Sequence, residues 1–211
     1  MVKNDIENRG IHDHAVKEAM LKVPRHLFVG PENIEAAYSD SALPIKENQT
    51  ISQPYVVALM TTVAELSSTD KVLEVGTGSG YQAAVLGEIV REVYSIEIIE
   101  TLARESSELL NKLGYKNIHV KHGDGYQGWK EAAPFDAILI TAAAPKIPEP
   151  LLHQLKMEGR LVMPLGKSRA PQELIALTKT ENGLKKRVVE IVAFVPMTGE
   201  VRNIGKDSFP D

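Results

Sequence analysis

With 211 residues, the chain is long enough for one sizeable α/β domain and an appended segment, and short for two domains. Its formal net charge of −4 and the absence of a long basic run argue against an extended nucleic-acid surface. There is no cysteine, which removes disulfides, thiolate metal sites and cysteine nucleophiles together.

The start, Met1 to Asp5, lacks the apolar core of a signal peptide, and no stretch approaches the ~18 uninterrupted apolar residues of a membrane span. A soluble, cytoplasmic monomer without membrane or nucleic-acid partners is expected. Two histidine pairs, His12 with His14 and His119 with His122, lack the H-E-x-x-H spacing, so no metal is expected either.

Residues 1 to about 50 do not follow a strand-helix rhythm. Asp13 is placed to cap a helix through Ala15, Val16, Ala19 and Met20 that Pro24 ends. The stretches from Val23 to Phe28 and from Tyr38 to Ile45 read as irregular. From Gln53 to Leu66, Val56, Leu59, Met60, Val63 and Ala64 recur at helical spacing, with Pro54 in the first turn, which puts Ser52 at or near the N-cap.

The central unit is Lys71 to Tyr81. Strand-like Lys71-Val72-Leu73-Glu74-Val75 ends in Gly76-Thr77-Gly78-Ser79-Gly80, and Gln82 to Leu86 has helical composition. Glycines admit close backbone approach, and a fresh helix N-terminus offers unpaired N–H groups. A phosphate-binding P-loop would need Lys-Ser/Thr after its last glycine, where Tyr81-Gln82 stands. A dinucleotide fingerprint would read G-x-G-x-x-G, whereas this loop reads G-x-G-x-G with an acid two residues before it. Glu74 would repel a pyrophosphate. It suits a ligand carrying positive charge, such as S-adenosylmethionine with its sulfonium and ammonium. A plain packing turn is the other reading of the triplet.

The chain then reads as strand Glu92 to Glu97, a helix through Leu102, Ala103, Leu109 and Leu110 ended by Gly114, strand Asn117 to His122, and buried strand Phe135 to Thr141. A short helix from Pro150 to Leu155 closed by Gly159 precedes a strand from Arg160 to Met163. Glu173 to Thr180, the turn pair Asn182-Gly183 and Val188 to Val195 read as an antiparallel hairpin. The expected fold is a doubly wound, mostly parallel α/β sheet of Rossmann-like type, with a helical N-terminal cover and that hairpin appended. One domain spans residues 1 to 211, with 1–66 as cover and substrate-side loops and 67–211 as the cofactor-binding core.

In such sheets ligands bind beyond the carboxyl ends of the strands. Acids stand at three of these ends: Glu74, Glu97 and Asp124. A carboxylate at Glu97 can accept both ribose hydroxyls, and one at Asp124 can accept from an adenine amino group. Trp129, the only tryptophan, is expected to anchor packing rather than to serve as a ligand platform.

In order along the chain, Thr50-Ile51-Ser52-Gln53-Pro54-Tyr55, Leu73 to Ala84, Val93 to Glu97, Gly123-Asp124-Gly125 and Thr141-Ala142-Ala143-Ala144 resemble the protein-L-isoaspartate O-methyltransferase family. The first of these motifs separates that family from other S-adenosylmethionine enzymes that share the glycine cradle. The resemblance implies methyl transfer from S-adenosylmethionine to the α-carboxylate of L-isoaspartyl residues in damaged proteins, followed by closure to a succinimide. It also implies Ser52 as the active-site serine, with Thr50 and Ile51 beside it at the substrate. The implied cofactor contacts are Glu74, Gly76, Thr77, Gly78, Ser79, Gly80, Glu97, Ile98, Asp124, Gly125, Thr141 and Thr198. The chain departs from the family pattern at Lys46-Glu47-Asn48, where a glycine is common, and at Gly30, where a proline is.

The chemistry is consistent with what the sequence lacks. A carboxylate with a pKa near ~4 is already ionised at neutral pH and needs no general base. Two other readings remain open on the residues alone: a methyltransferase of RNA or a small molecule, and a nucleoside-binding module without catalysis. Segments 38–52 and 195–205 are the candidates for closing over a peptide.

Overall fold

The computed structural model describes residues 1–167 and 170–202. The rest of the second candidate closing segment, 203–205, and the tail to Asp211 lie outside the described residues.

The N-terminal 63 residues form the cover. A π turn, Val2–Ile6, drops Val2 and Ile6 into the core. Helix α1 (His14–Lys22) starts at Asp13, whose side chain accepts from the Val16 N–H at 3.0 Å, as its sequence position implied. Between α1 and the next helix the irregular segment hides one short ribbon, β1 (Leu43–Pro44) paired antiparallel with β2 (Thr50–Ile51), which the sequence does not announce. Helix α2 (Pro54–Val63) follows directly, with proline in its first turn.

The core is a seven-stranded sheet. Strands β3 (Lys71–Val75), β4 (Glu92–Glu97), β5 (Ile118–His122), β6 (Phe135–Ile140) and β7 (Leu155–Leu165) run parallel, and β8 (Gln172–Thr180) and β9 (Gly183–Val192) continue the sheet antiparallel. The spatial order is β5-β4-β3-β6-β7-β8-β9. The sheet begins at β3, winds out to β5, and returns to fill the other side from β6, so the order reverses between β3 and β6. A crevice opens beyond the strand ends at such a reversal.

Strand alternation divides the interior in two. Val72 and Val93 face a core built with α1, α2, α3 (Tyr81–Gly87) and α4 (Glu100–Lys112), including Met20, Met60, Leu86 and Leu110. Leu73, Val75 and Ile96 face the other core with Phe135, Ile138 and Leu151 of α5 (Glu149–Gln154). Trp129 packs edge-on against Tyr94 with ring centroids 5.2 Å apart, and so serves as an anchor of that second core.

Two strand boundaries differ from the sequence expectation. Strand β7 starts at Leu155, directly after α5, and Gly159 lies inside it, next to a register shift opposite Phe135 and Ala137. An added Cβ at Gly159 would lie 2.9 Å from the Asp136 carbonyl, so this glycine serves close strand approach and does not end the helix. The hairpin turn is Glu181-Asn182, since Thr180 pairs with Gly183, and β9 begins there instead of at Val188. Its first half, Leu184-Lys185-Lys186-Arg187, is exposed on the edge strand, where charge blunts edge pairing.

Candidate active site

The glycine turn connects β3 to α3 with all three glycines at positive φ: Gly76 at +100°, Gly78 at +52° and Gly80 at +88°. No Cβ is tolerated at Gly76 on a second ground, because it would lie 2.4 Å from Thr141 Oγ1. Thr141, at the end of β6, donates its hydroxyl to the Gly76 carbonyl at 2.6 Å and so ties the turn to the neighbouring strand. Beyond Gly80 the first turn of α3 opens, with Ser79 Oγ 3.4 Å from the Tyr81 N–H.

Glu97 closes the opposite side. Its carboxylate, almost wholly enclosed, accepts from the Gly78 N–H at 2.8 Å and the Ile99 N–H at 2.9 Å. A carboxylate offers about four acceptor positions, so two stay open for further donors. That spare capacity fits a pair of vicinal hydroxyls.

Together these groups border a cleft whose lining includes Gln49, Thr50, Gly76, Gly78, Glu97, Ile98, Gly125, Thr141 and Thr198. Thr198 reaches it because the segment after β9 runs back over the strand ends: Ala143 N–H donates to Val195 O and Met197 N–H to Ala143 O, each at 2.8 Å.

Two of the predicted acids stand behind the wall and not in it. Glu74 is fully buried beneath the turn; one oxygen accepts from the Ser95 hydroxyl, which is itself 2.6 Å from Thr77 Oγ1, and the other, Oε1, has no partner. Burial, with the Glu97 charge adding to it, pushes the Glu74 carboxyl up to about 8. Asp124 accepts from the N–H groups of Tyr126 at 2.9 Å and Glu200 at 2.8 Å, pinning the C-terminal segment against the β5 loop. Its neighbour Gly125 lines the cleft, and a Cβ there would lie 2.3 Å from a Val75 methyl.

Two more spaces adjoin the first. A narrow one is bordered by Thr50, Ile51, Ser52, Thr77, Ser79, Gln82 and Thr141. A wider one, on the outer side, is bordered by Arg9, Thr50, Ser52, Gln53, Tyr55, Thr141, Glu190 and Phe194. Thr50 and Thr141 line all three, so the glycine cradle and the outer cleft meet at these two threonines.

Ser52 is not the N-cap of α2. Gln53 occupies that position without a side-chain bond, and the Tyr55 N–H is taken by Asp40 Oδ1 at 3.1 Å. A cap supplied from a residue distant in sequence leaves no local signature. Among the described residues the Ser52 hydroxyl has no hydrogen-bond partner, and it borders the outer cleft. Among the residues that sequence reasoning did not name for the site, Gln49 lines the glycine-floored cleft, Arg9, Glu190 and Phe194 line the outer one, and Asp40 stands beside it; only Gln49, next to the Thr50 motif, carried a signal.

The loop where the chain departs from the family pattern holds Glu47 at φ +58° and Asn48 at φ +55°, the left-handed region that a glycine adopts without cost. Contacts to α4 hold it there: Lys46 Nζ sits 2.8 Å from Glu105, and Thr101 donates to Glu47 at 3.0 Å. Among the described residues, no group of His, Cys, Asp and Glu could hold a metal ion, and no helix is long and apolar enough to cross a membrane.

Comparison with known proteins gives the same reading. The family model described as protein-L-isoaspartate(D-aspartate) O-methyltransferase matches residues 1–202. Protein-L-isoaspartate O-methyltransferase 2 of Shewanella sediminis is 53% identical over 199 residues, covering 94% of this chain and 82% of its own. Protein-L-isoaspartate O-methyltransferase 1 of Syntrophobacter fumaroxidans is 54% identical over 200 residues, covering 95% and 93%. Among solved structures, a protein-L-isoaspartate O-methyltransferase superposes with a TM-score of 0.85 at 28% identity, covering 92% of this chain and 64% of its own. A Plasmodium falciparum protein described as a candidate enzyme of that kind, in complex with S-adenosyl-L-homocysteine, gives 0.78 at 28% identity, covering 91% and 94%. The chain belongs to the protein-L-isoaspartate(D-aspartate) O-methyltransferase family.

Proposed function

We infer that this chain is a protein-repair enzyme that transfers a methyl group from S-adenosylmethionine to the α-carboxyl of L-isoaspartyl residues in proteins and peptides. The observation that carries the reading is the shared border at Thr50 and Thr141, where a glycine-floored cleft opens into a wider, partly apolar one. The first suits a nucleoside with an amino-acid tail. The second has room for a polypeptide segment.

The residues present fit S-adenosylmethionine. The turn from Gly76 to Gly80 admits close backbone approach, Glu97 keeps acceptor positions free for ribose hydroxyls, and Ile98, Gly125 and Thr198 border the space beyond. Glu74, Thr77, Ser79 and Asp124 act as supports in this assignment: the first two brace the turn through Ser95, Ser79 Oγ faces the Tyr81 N–H at 3.4 Å, and Asp124 holds the segment that carries Thr198. When bound, the donor supplies an electrophilic methyl on a sulfonium that leaves as a neutral sulfide.

The acceptor carboxylate is ionised at neutral pH, so the protein has to align it rather than remove a proton from it. In favourable cases alignment is worth on the order of 7–11 kcal/mol. We assign this role to Ser52, whose free hydroxyl donates to one carboxylate oxygen and leaves the other to face the methyl. Thr50 and Ile51 form the wall beside it. The new ester is neutral and activated, and attack by the following backbone nitrogen expels methanol as the succinimide closes.

The test is repair itself. A synthetic isoaspartyl peptide incubated with enzyme and S-adenosylmethionine should convert progressively to its normal aspartyl isomer, read by chromatography with methanol release. Methyl ester formation on an unrelated acceptor, with the isoaspartyl peptide unchanged, would contradict the reading.

A further inference from the structure

One acid beside the outer cleft has no part in the chemistry described above. Asp40 lies in the irregular segment before β1, yet it gathers groups from two distant parts of the chain. Its carboxylate accepts from Arg9 Nη1 at 3.0 Å, from Gln53 Nε2 at 2.7 Å and from the Tyr55 N–H at 3.1 Å. The Tyr55 N–H is one of the orphan donors of the first turn of α2, and a carboxylate there also complements the helix dipole. Asp40 therefore does the capping that neither Gln53 nor Ser52 does.

Two consequences meet in one place. The residues immediately after Ser52 are held by Asp40 through the Gln53 side chain and the Tyr55 backbone N–H, which sets the path of the chain out of Ser52 while the Ser52 hydroxyl stays unbonded. Arg9, whose guanidinium lies 3.3 Å over the Tyr55 ring, is held on the same wall. Among the described residues that line the outer cleft, Arg9 is the single cation and Glu190 the single anion. A carboxylate entering that cleft meets a hydroxyl and a guanidinium whose positions both depend on Asp40.

We propose that Asp40 is a positioning residue for methyl transfer, acting through the Gln53–Tyr55 turn and Arg9 to present the Ser52 hydroxyl and the Arg9 guanidinium N–H groups to the acceptor carboxylate. The proposal rests on the reading of the outer cleft as the acceptor site. Asp40 touches neither substrate nor cofactor in it; its effect passes through the residues it holds.

Asp40→Ala and Asp40→Asn, each made alone and in a Ser52→Ala background, are assayed for kcat and KM on an isoaspartyl peptide at saturating S-adenosylmethionine. Calorimetric S-adenosylhomocysteine affinity and Tm are measured on each. Losing charge-assisted hydrogen bonds in the alanine variant is expected to lower peptide kcat/KM roughly 10- to 100-fold with cofactor affinity within about threefold. Asp40→Asn, which keeps an acceptor for the Tyr55 N–H but drops the charge facing Arg9, should recover most of kcat while its peptide KM stays raised. In the Ser52→Ala background the further loss from Asp40→Ala should shrink to about threefold, as expected for groups that act as one unit. Full additivity of the two substitutions, or a lower Tm with unchanged kcat/KM per folded molecule, would overturn the proposal. An impaired Ser52→Ala beside a silent Asp40→Ala defeats the positioning role alone. A silent Ser52→Ala removes the acceptor-site reading, and the proposal falls with it.

Discussion

Replacing Glu97 by alanine is the most informative single perturbation of the cofactor cleft. In the structure this carboxylate makes two bonds, to the N–H groups of Gly78 and Ile99, at 2.8 and 2.9 Å. Two of its roughly four acceptor positions remain, which is what a ribose with two hydroxyls requires. Losing charged hydrogen bonds to a ligand costs about 1.5–3 kcal/mol, and tenfold in Kd corresponds to about 1.4 kcal/mol. Glu97→Ala should therefore weaken S-adenosylhomocysteine binding roughly ten- to 150-fold by titration calorimetry. The two N–H groups left behind would also loosen the glycine turn, so a lower Tm is expected beside the weaker binding. The two effects separate on Glu97→Gln. Glutamine keeps one acceptor oxygen for the turn but places an amide donor against the second N–H, so binding should stay weak although part of the Tm returns. Wild-type affinity in Glu97→Ala would remove this residue from the cofactor site and refute the reasoning.

Three other outcomes follow from the same geometry. Gly76→Ala brings a methyl within 2.4 Å of Thr141 Oγ1 at φ +100°, and should cost about 1–3 kcal/mol of stability by denaturant unfolding. Adding Thr141→Ala should recover only part of it, because the φ penalty remains. Glu74, held neutral to about pH 8 in the folded chain against 4.5 when free, contributes stability below pH 4.5 that is lost as pH rises toward 8, at up to about 1.4 kcal/mol per unit. Relative to wild type, Glu74→Gln should thus look worst at or below pH 4.5 and best near pH 8 in urea unfolding; a pH-independent difference would contradict the buried neutral acid. Ser52→Ala removes no cap, so its Tm should stay within about 1–2 °C of wild type, less than the ~1 kcal/mol of a lost cap would produce, while peptide methylation falls at least roughly tenfold.

What the sequence disclosed depended on whether the physical cause was local. Strand β6 carries the contiguous apolar run Ala137 to Ile140 because both its faces are covered, and that contiguity makes it legible. The glycine triplet was legible because its backbone conformation excludes side chains. By contrast, the first half of β9 is an exposed, basic edge whose strand state comes from pairing with β8, and Leu155 to Gly159 carries the punctuation of a helix end while lying in β7. The acids divide in the same way. Glu97 was placed at the cleft from strand order, and Gly125 and Thr141 from the family resemblance, whereas nothing local distinguishes Glu74, buried below the turn, or Asp124, turned to backbone N–H groups, from an acid in the wall. Arg9 reaches the outer cleft, and Asp40 the start of α2, only through tertiary contact, and Ser52 looked like a cap because its true competitor is 12 residues upstream in sequence. The positive φ of Glu47 and Asn48 had a partial signal, the departure from a common family glycine, but the ion pair to α4 that accompanies it is visible only in three dimensions.

Repair specificity is tested most directly by methyl transfer from labelled S-adenosylmethionine to two peptides that differ in a single linkage, isoaspartyl against normal aspartyl. Base-labile label on the isoaspartyl peptide alone is the expected result. Equal labelling of both peptides, or label on neither while S-adenosylhomocysteine still binds, would contradict assignment of this chain to isoaspartyl repair.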